Sequence, residues 1–249
     1  MYSEMQKTLS ENAQNAGEPA EKPVEESGFS WKELFRALSN PRFIMLALLC
    51  VFFYCCIISF KKFGTAIVIP RFGMDIDSAK WVISLIPFFT VVFTPLFGAL
   101  VDKLGKATLW MITGSTLVLA AHLVIAFAPN GTPFFGYAGI AMLGIGYSLV
   151  PSAMWPTVPK IVPERNLSSA YALIYWVQNM GMLLVPIIVG EIFTKTLAGG
   201  DTEALKLQAA VKAEYVFVAL GVLAVIVAFM IARSSSRHPE LAMDEASAK

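Results

Sequence analysis

The sequence is poor in charged residues and in the residue types that carry out chemistry. Only 15% of the 249 residues are Asp, Glu, Lys or Arg, and the chain has two histidines and three cysteines. Soluble domains carry about 25% charged residues, so a soluble fold does not fit this composition. The net charge of +1 offers no basic cluster for nucleic acid, and neither G-x-S-x-G nor H-E-x-x-H occurs. We therefore expect neither an enzyme nor a nucleic-acid-binding protein.

The cysteines give no sign of a disulfide framework or a metal site. Cys50, Cys55 and Cys56 all lie in one apolar stretch, and an odd number of cysteines in such a stretch does not make a set of disulfides. Metal binding would need histidine or carboxylate partners nearby. We interpret the three residues as small apolar side chains and predict no metal and no cofactor.

Hydrophobic residues, by contrast, make up 56% of the chain and cluster into six stretches. A helix needs about 20 residues to cross a hydrocarbon core of about 30 Å, and no apolar alternation is long enough for a barrel strand. We therefore predict an all-α membrane protein with six transmembrane helices. The predicted spans are 42–70, 79–101, 107–128, 134–160, 167–193 and 212–233, with a separate amphipathic piece at 201–213.

Polar segments flank these spans. Residues 1–29 have the composition of a disordered segment, and residues 30–39 have the spacing of a short amphipathic surface helix. We divide the chain into a linker (1–40), a transmembrane bundle (41–233) and a loosely held polar tail (234–249). An even number of spans places both termini on one side, and the basic loop between spans two and three predicts that this side is the cytoplasm.

That loop reads GALVDKLGK over residues 98–106. Gly98 would let two helices approach closely, and Gly105 would make a tight turn. Asp102 can accept hydrogen bonds from an exposed helix N-terminus, while Lys103 and Lys106 would hold the loop at the cytoplasmic face. A short basic turn that merely obeys the positive-inside rule is the alternative. The pattern is similar to the G-x-x-x-D-[R/K]-x-G-[R/K] signature of major facilitator transporters, in the position between two spans that the family uses.

The resemblance implies which part of a transporter this would be. Residues 1–40 look like the central linker of the superfamily, so the spans are interpreted as helices 7 to 12, the C-terminal half. Ala107 departs from the pattern, since a further basic residue is usual there. The resemblance implies that Asp102 pairs with helix 5 of an N-terminal half, encoded by the same gene or by another, and that the halves rock against each other in alternating access.

A closer resemblance lies in residues 146–193, with GYSLVPSAMWP at 146–156 and QNMG at 178–181. This stretch is similar to the major facilitator domain-containing protein 1 family, whose animal members are lysosomal dipeptide transporters. The resemblance implies a small polar substrate such as a dipeptide or an amino-acid-like compound. We expect a multi-pass protein of a bacterial cell membrane, with the lysosomal membrane as the alternative, and membrane lipids as its surroundings.

Polar and aromatic side chains of the fifth span are candidates for the substrate pathway, because polar groups inside a membrane are costly. Tyr171, Tyr175 and Gln178 follow i, i+4, i+7 spacing and would form one face, which Asn179 borders. A substrate-binding role is one interpretation of this face. Hydrogen bonding between helices is the other.

The fourth and first spans add further candidates. Tyr147 and Trp155 lie in the proline-containing fourth span, and Trp155 is either a gate or an interfacial anchor. Lys61 in the first span is a candidate ligand of a substrate carboxylate, because Tyr54 would share its helix face, although snorkelling to the interface is the alternative. His122 is expected to be packed and hydrogen-bonded, and the spans offer no buried carboxylate suited to proton coupling.

Two function classes remain open beside the transporter half. The chain could be a truncated or regulatory membrane subunit with no transport of its own. It could also carry another organic anion instead of a dipeptide.

Overall fold

The structure is a computed structural model that describes residues 39–246. This part of the chain is helical and contains no strand, and six of its helices are long and apolar enough to cross a membrane. The prediction of an all-α membrane fold is confirmed, whereas the amphipathic segment at 30–39 lies almost wholly outside the described residues. The helices are α1 (Pro41–Phe72), α2 (Ile76–Leu104), α3 (Ala107–Phe127), α4 (Pro133–Ile161), α5 (Leu167–Leu197) and α6 (Glu203–Arg237).

Helix α6 begins earlier than the hydropathy pattern predicts. Its N-cap is Thr202, whose hydroxyl accepts a hydrogen bond from the Leu205 N–H. Ala209 and Ala213 of its first turns are fully buried, so small side chains hold this part against the bundle. The predicted amphipathic piece at 201–213 is therefore continuous with the last transmembrane helix.

The C-terminal tail also differs from the expectation of a loosely held segment. Helix α6 runs to Arg237, a short 3₁₀ turn follows at Pro239–Leu241, and the Met243 side chain is buried. Residues 239–246 lie against one end of the bundle. We call it the signature end, because it contains the 98–106 motif together with the C-terminal ends of α4 and α6.

Close approach of helices depends on glycine at several contacts. A Cβ built on Gly144 of α4 would lie 2.8 Å from the Cβ of Phe89 on α2, and one built on Gly114 of α3 would lie 2.9 Å from the Cβ of Leu149 on α4. Small residues at such contacts let membrane helices pack without a hydrophobic driving force between them. Helices α2, α3 and α4 are thereby held side by side.

Burial is unequal among the helices. The most apolar window of α1 is 61% buried within the bundle, compared with 17% for α2 and 22% for α5. Helix α1 therefore lies at the centre, in contact with α2, α4, α5 and α6. Helices α2 and α5 leave most of their surface uncovered, and the candidate site lies between them.

Helix α1 contains a π-helical turn at Cys55–Ser59. A π turn closes i→i+5 hydrogen bonds and therefore takes up more residues than an α turn. Residues on both sides of the turn contact α5, among them Cys55 and Phe63, which are eight residues apart. The Cys55 sulfur lies beneath Gly181, and the Phe63 ring stacks on Phe193 with centroids 5.7 Å apart. The π turn therefore shifts the register of α1 by one residue. Beyond the turn, residue i takes the direction that residue i−1 would have in an unbroken α-helix.

Candidate functional site

Aromatic side chains from α1, α4 and α5 meet around Trp155. The Trp155 ring stacks on Tyr175 with centroids 5.0 Å apart, and it lies 5.8 Å from the Tyr171 ring. Its indole Nε1 donates a hydrogen bond to the Tyr54 hydroxyl at 3.1 Å, and the Tyr171 hydroxyl donates to the Trp155 carbonyl at 3.4 Å. We call these four side chains the Trp155 cluster. Four of the residues singled out in the sequence are thus brought together by three different helices.

A small cavity of about 180 Å³ opens beside this cluster, between α1, α2 and α4. Tyr147 contributes one wall, and its ring meets the Tyr54 ring edge-on at a centroid distance of 5.7 Å. Thr90, Thr94 and Pro151 complete the lining. The two threonines were missed in the sequence, although their i, i+4 spacing on one face of an otherwise apolar span is a usable signal.

Gln178 and Asn179 lie away from this cavity. Gln178 is buried at 5% exposure, and its Oε1 accepts a hydrogen bond from the Cys50 thiol of α1 at 2.9 Å. It therefore links two helices, which is the alternative interpretation of the polar face. Asn179 is exposed and its amide donates to the Tyr175 carbonyl at 2.7 Å, so it supports the backbone beneath Tyr175.

The lysines of α1 lie beyond the π turn, and their faces follow from it. Tyr54 lies before the π turn and Lys62 lies eight residues later, beyond it. Because the π turn takes up one extra residue, these eight residues turn the chain about as far as seven residues of an α-helix would. Lys62 therefore points the way Tyr54 does, whereas the argument for Lys61 assumed an unbroken α-helix. Lys62 is exposed and Lys61 is half-buried. Neither forms an ion pair or hydrogen bond within residues 39–246.

The signature loop has an unusual backbone. Gly105 has φ of 64° and Lys106 has φ of 56°, so two successive residues have a positive φ, which glycine adopts without a steric penalty. Asp102 and Lys103 are exposed at the end of α2, and neither pairs with another residue in the described part of the chain. A Cβ built on Gly98 meets no atom within 4 Å, so the close helix approach expected there does not occur within this bundle.

A buried acidic residue is present where α1, α3 and α6 meet. Glu214 of α6 is fully buried, and its Oε2 lies 2.9 Å from Nδ1 of the fully buried His122 of α3. His122 is packed and hydrogen-bonded as the sequence predicted. The spans therefore do hold a buried carboxylate, which the sequence did not reveal because the hydropathy pattern placed Glu214 at the edge of a span. Whether it is suited to proton coupling stays a question of function.

The described residues contain no group of three or more His, Cys, Asp or Glu side chains placed to hold a metal ion. The chemistry available at the site is therefore that of hydroxyls, indole and phenol rings, and nearby lysines. The sequence model of the Major Facilitator Superfamily matches residues 56–246. The chain belongs to the major facilitator superfamily.

Named relatives of this major facilitator chain are transporters. The lysosomal dipeptide transporter MFSD1 of Homo sapiens is 31% identical over 148 residues, which make up 59% of this chain and 31% of the human protein. The Mus musculus protein of the same name is 32% identical over 149 residues, or 60% of this chain and 31% of that protein. The chain therefore aligns with less than a third of the length of either relative.

A solved structure shows the same fold. Tetrameric PepTSo2 superposes on this major facilitator chain with a TM-score of 0.65, covering 78% of this chain and 41% of that one. The two are 18% identical, so the likeness concerns the fold alone. The resemblance to the superfamily and to the dipeptide-transporter family that the 98–106 and 146–193 motifs implied is confirmed.

Proposed function

We propose that the chain forms one half of a transporter that moves small polar solutes, dipeptides among them, by alternating access. The observation that carries the proposal is a surface that runs from α5 to α2. The Trp155 cluster, which includes two tyrosines of α5, borders the cavity that Thr90 and Thr94 of α2 line, and we call this surface the groove. Hydroxyls can bind amide and amine groups, and aromatic faces can receive apolar side chains. The human and mouse relatives are named as dipeptide transporters.

The uncovered faces of α2 and α5 support a second six-helix half. Both helices expose large apolar side chains, such as Leu96 on α2 and Leu184 on α5. Lipid could cover these, but the side-chain hydroxyls of Thr94 and Tyr147 make no hydrogen bond within residues 39–246 and need a polar or water-filled space within protein. An N-terminal half seated on this side would enclose the cavity and supply the partner that the exposed Asp102 lacks within residues 39–246. It would come from the same polypeptide or from a separate chain.

The lysines of α1 extend the groove away from the signature end. One of them would bind the carboxylate of a dipeptide, and the register of the π turn favours Lys62 over Lys61. A rise of about 1.5 Å per residue places Lys62 about 12 Å along α1 from Tyr54. An extended dipeptide is shorter than this span, at about 7 Å, so the remaining distance would be bridged by the lysine side chain. We place the protein in a bacterial cell membrane with both termini in the cytoplasm.

The experiment is ligand-dependent stabilisation followed by transport. The chain would be purified alone and co-expressed with a candidate N-terminal half, and each preparation would be melted with and without a panel of dipeptides and other organic anions. Preparations that respond would be placed in liposomes for counterflow of a labelled dipeptide. Binding and counterflow in the co-expressed sample support the proposal. If no preparation responds to dipeptides or to other organic anions, the chain is a subunit without transport of its own.

A further inference from the structure

Helix α3 begins without a cap from its own sequence. Lys106 occupies the N-cap position in a left-handed conformation, and its side chain makes no capping hydrogen bond. A lysine ammonium has donors only, so it cannot satisfy the free N–H groups in the first turn of a helix. These groups need an acceptor from elsewhere.

Asp244 of the C-terminal tail supplies that acceptor. Its Oδ1 accepts from the Thr108 N–H at 2.8 Å, and its Oδ2 accepts from the hydroxyls of Thr108 at 3.0 Å and Ser235 at 2.8 Å. Its backbone carbonyl accepts from the Lys106 N–H at 2.7 Å. A carboxylate at a helix N-terminus is stabilised by the N–H groups and by the helix dipole. Asp244 of the tail thus acts as the N-cap of a helix that begins 137 residues earlier in the sequence.

Two further contacts fix the tail in this place. Lys160, in the last turn of α4, donates to the carbonyls of Ala242 at 3.0 Å and Glu245 at 2.9 Å. Gly105 lies directly beneath the tail, because a Cβ built on it would come within 2.8 Å of the Ala246 nitrogen. The second glycine of the signature therefore serves both the turn and the contact with the tail.

We propose that residues 239–246 form a clasp that sets the position of the signature loop, with Asp244 as its positioning residue. The clasp joins α3, α4 and α6 at the signature end and holds Lys106 and Thr108 by their backbone. Asp102 lies on the last turn of α2, directly before this held segment, so its direction depends on the same backbone. The clasp does not depend on which solute the protein carries.

The test is hydrogen–deuterium exchange of the purified chain in lipid nanodiscs. Loss of an N-cap costs about 1 kcal/mol, which corresponds to about fivefold in an opening equilibrium. We expect Asp244→Ala to speed exchange in peptides covering 104–110 by about fivefold or more. Asp244→Asn should stay close to the parent protein, because Asn caps helices as well as Asp does. Glu245→Ala is the matched control, since it removes the adjacent acidic side chain and keeps the backbone carbonyl that Lys160 uses.

Lys160→Met provides a second route to the same result, because it frees the tail while leaving Asp244 in the sequence. Exchange in peptides of α5 serves as the internal reference and should be unchanged in every variant. The proposal is overturned if Asp244→Ala leaves 104–110 at the parent rate, or if Glu245→Ala accelerates it equally. Should Asp244→Ala fail to fold, an unchanged 104–110 rate in Lys160→Met would overturn it, and acceleration there would support it.

Discussion

The carboxylate of Glu214 lies 2.9 Å from the imidazole Nδ1 of His122, and neither side chain is exposed. The pair joins α6 to α3. The rings of Phe60 and Phe217 enclose the imidazole, each with its centroid 5.3 Å away. Nε2 of His122 and Oε1 of Glu214 have no hydrogen-bond partner in the described part of the chain. Within residues 39–246, each side chain is therefore the only hydrogen-bond partner of the other, and removal of either leaves a buried polar group without one.

Glu214→Ala should destabilise the bundle. An unsatisfied buried polar group costs about 1–3 kcal/mol, and the cavity left by the side chain adds to this. We expect a fall of about 5–10 °C in the melting temperature of the purified chain in detergent. Glu214→Gln should fall less, because its amide oxygen can still accept from the Nδ1 hydrogen of His122.

A double substitution separates the pair from a general packing defect. Replacing both partners of a buried polar pair by apolar residues is often nearly neutral, so His122→Leu with Glu214→Met should melt higher than Glu214→Ala alone. Glu191→Ala is the control, since Glu191 is exposed and, among the residues the structure describes, pairs only with Lys195 of the same helix. Equal losses from Glu191→Ala and Glu214→Ala would contradict the role assigned to the buried pair.

The burial of Glu214 could not be predicted from the sequence. Hydropathy located all six spans, because apolar runs of about 20 residues are a direct consequence of the bilayer's thickness. It placed the start of the last span at residue 212, so that Glu214 lay at the polar edge of the span, because Lys206, Lys212 and Glu214 lower the local hydropathy. The structure instead buries Glu214 against a histidine 92 residues away, and no local pattern reports such a partner.

The same limit applies to the candidate site. The spacing of Tyr171, Tyr175 and Gln178 predicted one shared face, and two of the three side chains do meet Trp155. Gln178 turns to Cys50 on the neighbouring helix instead. Periodicity gives the angle of a side chain around its own helix, but it does not say which neighbour covers that angle.

Gln178→Leu should therefore change stability more than ligand binding. Its hydrogen bond with the Cys50 thiol joins α5 to α1, and such contacts between membrane helices contribute about 0.6 kcal/mol on average. We expect a small fall in melting temperature and an unchanged apparent Kd for a dipeptide in the complete transporter. Cys50→Ala should produce a similar fall, since it removes the donor of the same hydrogen bond. If the dipeptide Kd rises tenfold in Gln178→Leu but not in Cys50→Ala, Gln178 contacts the substrate and the prediction is wrong.

Lys62→Met and Lys61→Met distinguish the two lysines of α1. A hydrogen bond to a charged group contributes about 1.5–3 kcal/mol, so loss of the carboxylate contact should raise the dipeptide Kd about tenfold or more. We expect this in Lys62→Met and a smaller effect in Lys61→Met. The measurement is titration of the complete transporter with a dipeptide and with its C-terminal amide, because only the free carboxylate should distinguish the variant from the parent. A larger effect in Lys61→Met would show that the π turn does not set the register in the working protein.

Trp155 and Trp176 offer a matched pair for the cavity. Trp155 stacks on Tyr175 and donates to Tyr54, whereas Trp176 is 62% exposed on α5. Both substitutions remove one indole, so they perturb composition equally. Truncation of an aromatic anchor in a binding site commonly costs 1 kcal/mol or more of binding free energy. We therefore expect Trp155→Ala to raise the dipeptide Kd, measured by thermal stabilisation, about tenfold. Trp176→Ala should leave it unchanged.

Tyr54→Phe refines that comparison, because it removes only the hydroxyl that accepts from the Trp155 indole. If the indole must be held in place to meet the substrate, Tyr54→Phe should weaken binding by less than Trp155→Ala and should leave the melting temperature of the unliganded protein nearly unchanged. Binding that survives both Trp155→Ala and Tyr54→Phe would place the substrate elsewhere. The uncovered groove between α2 and α5 would then be a contact surface for the second half alone.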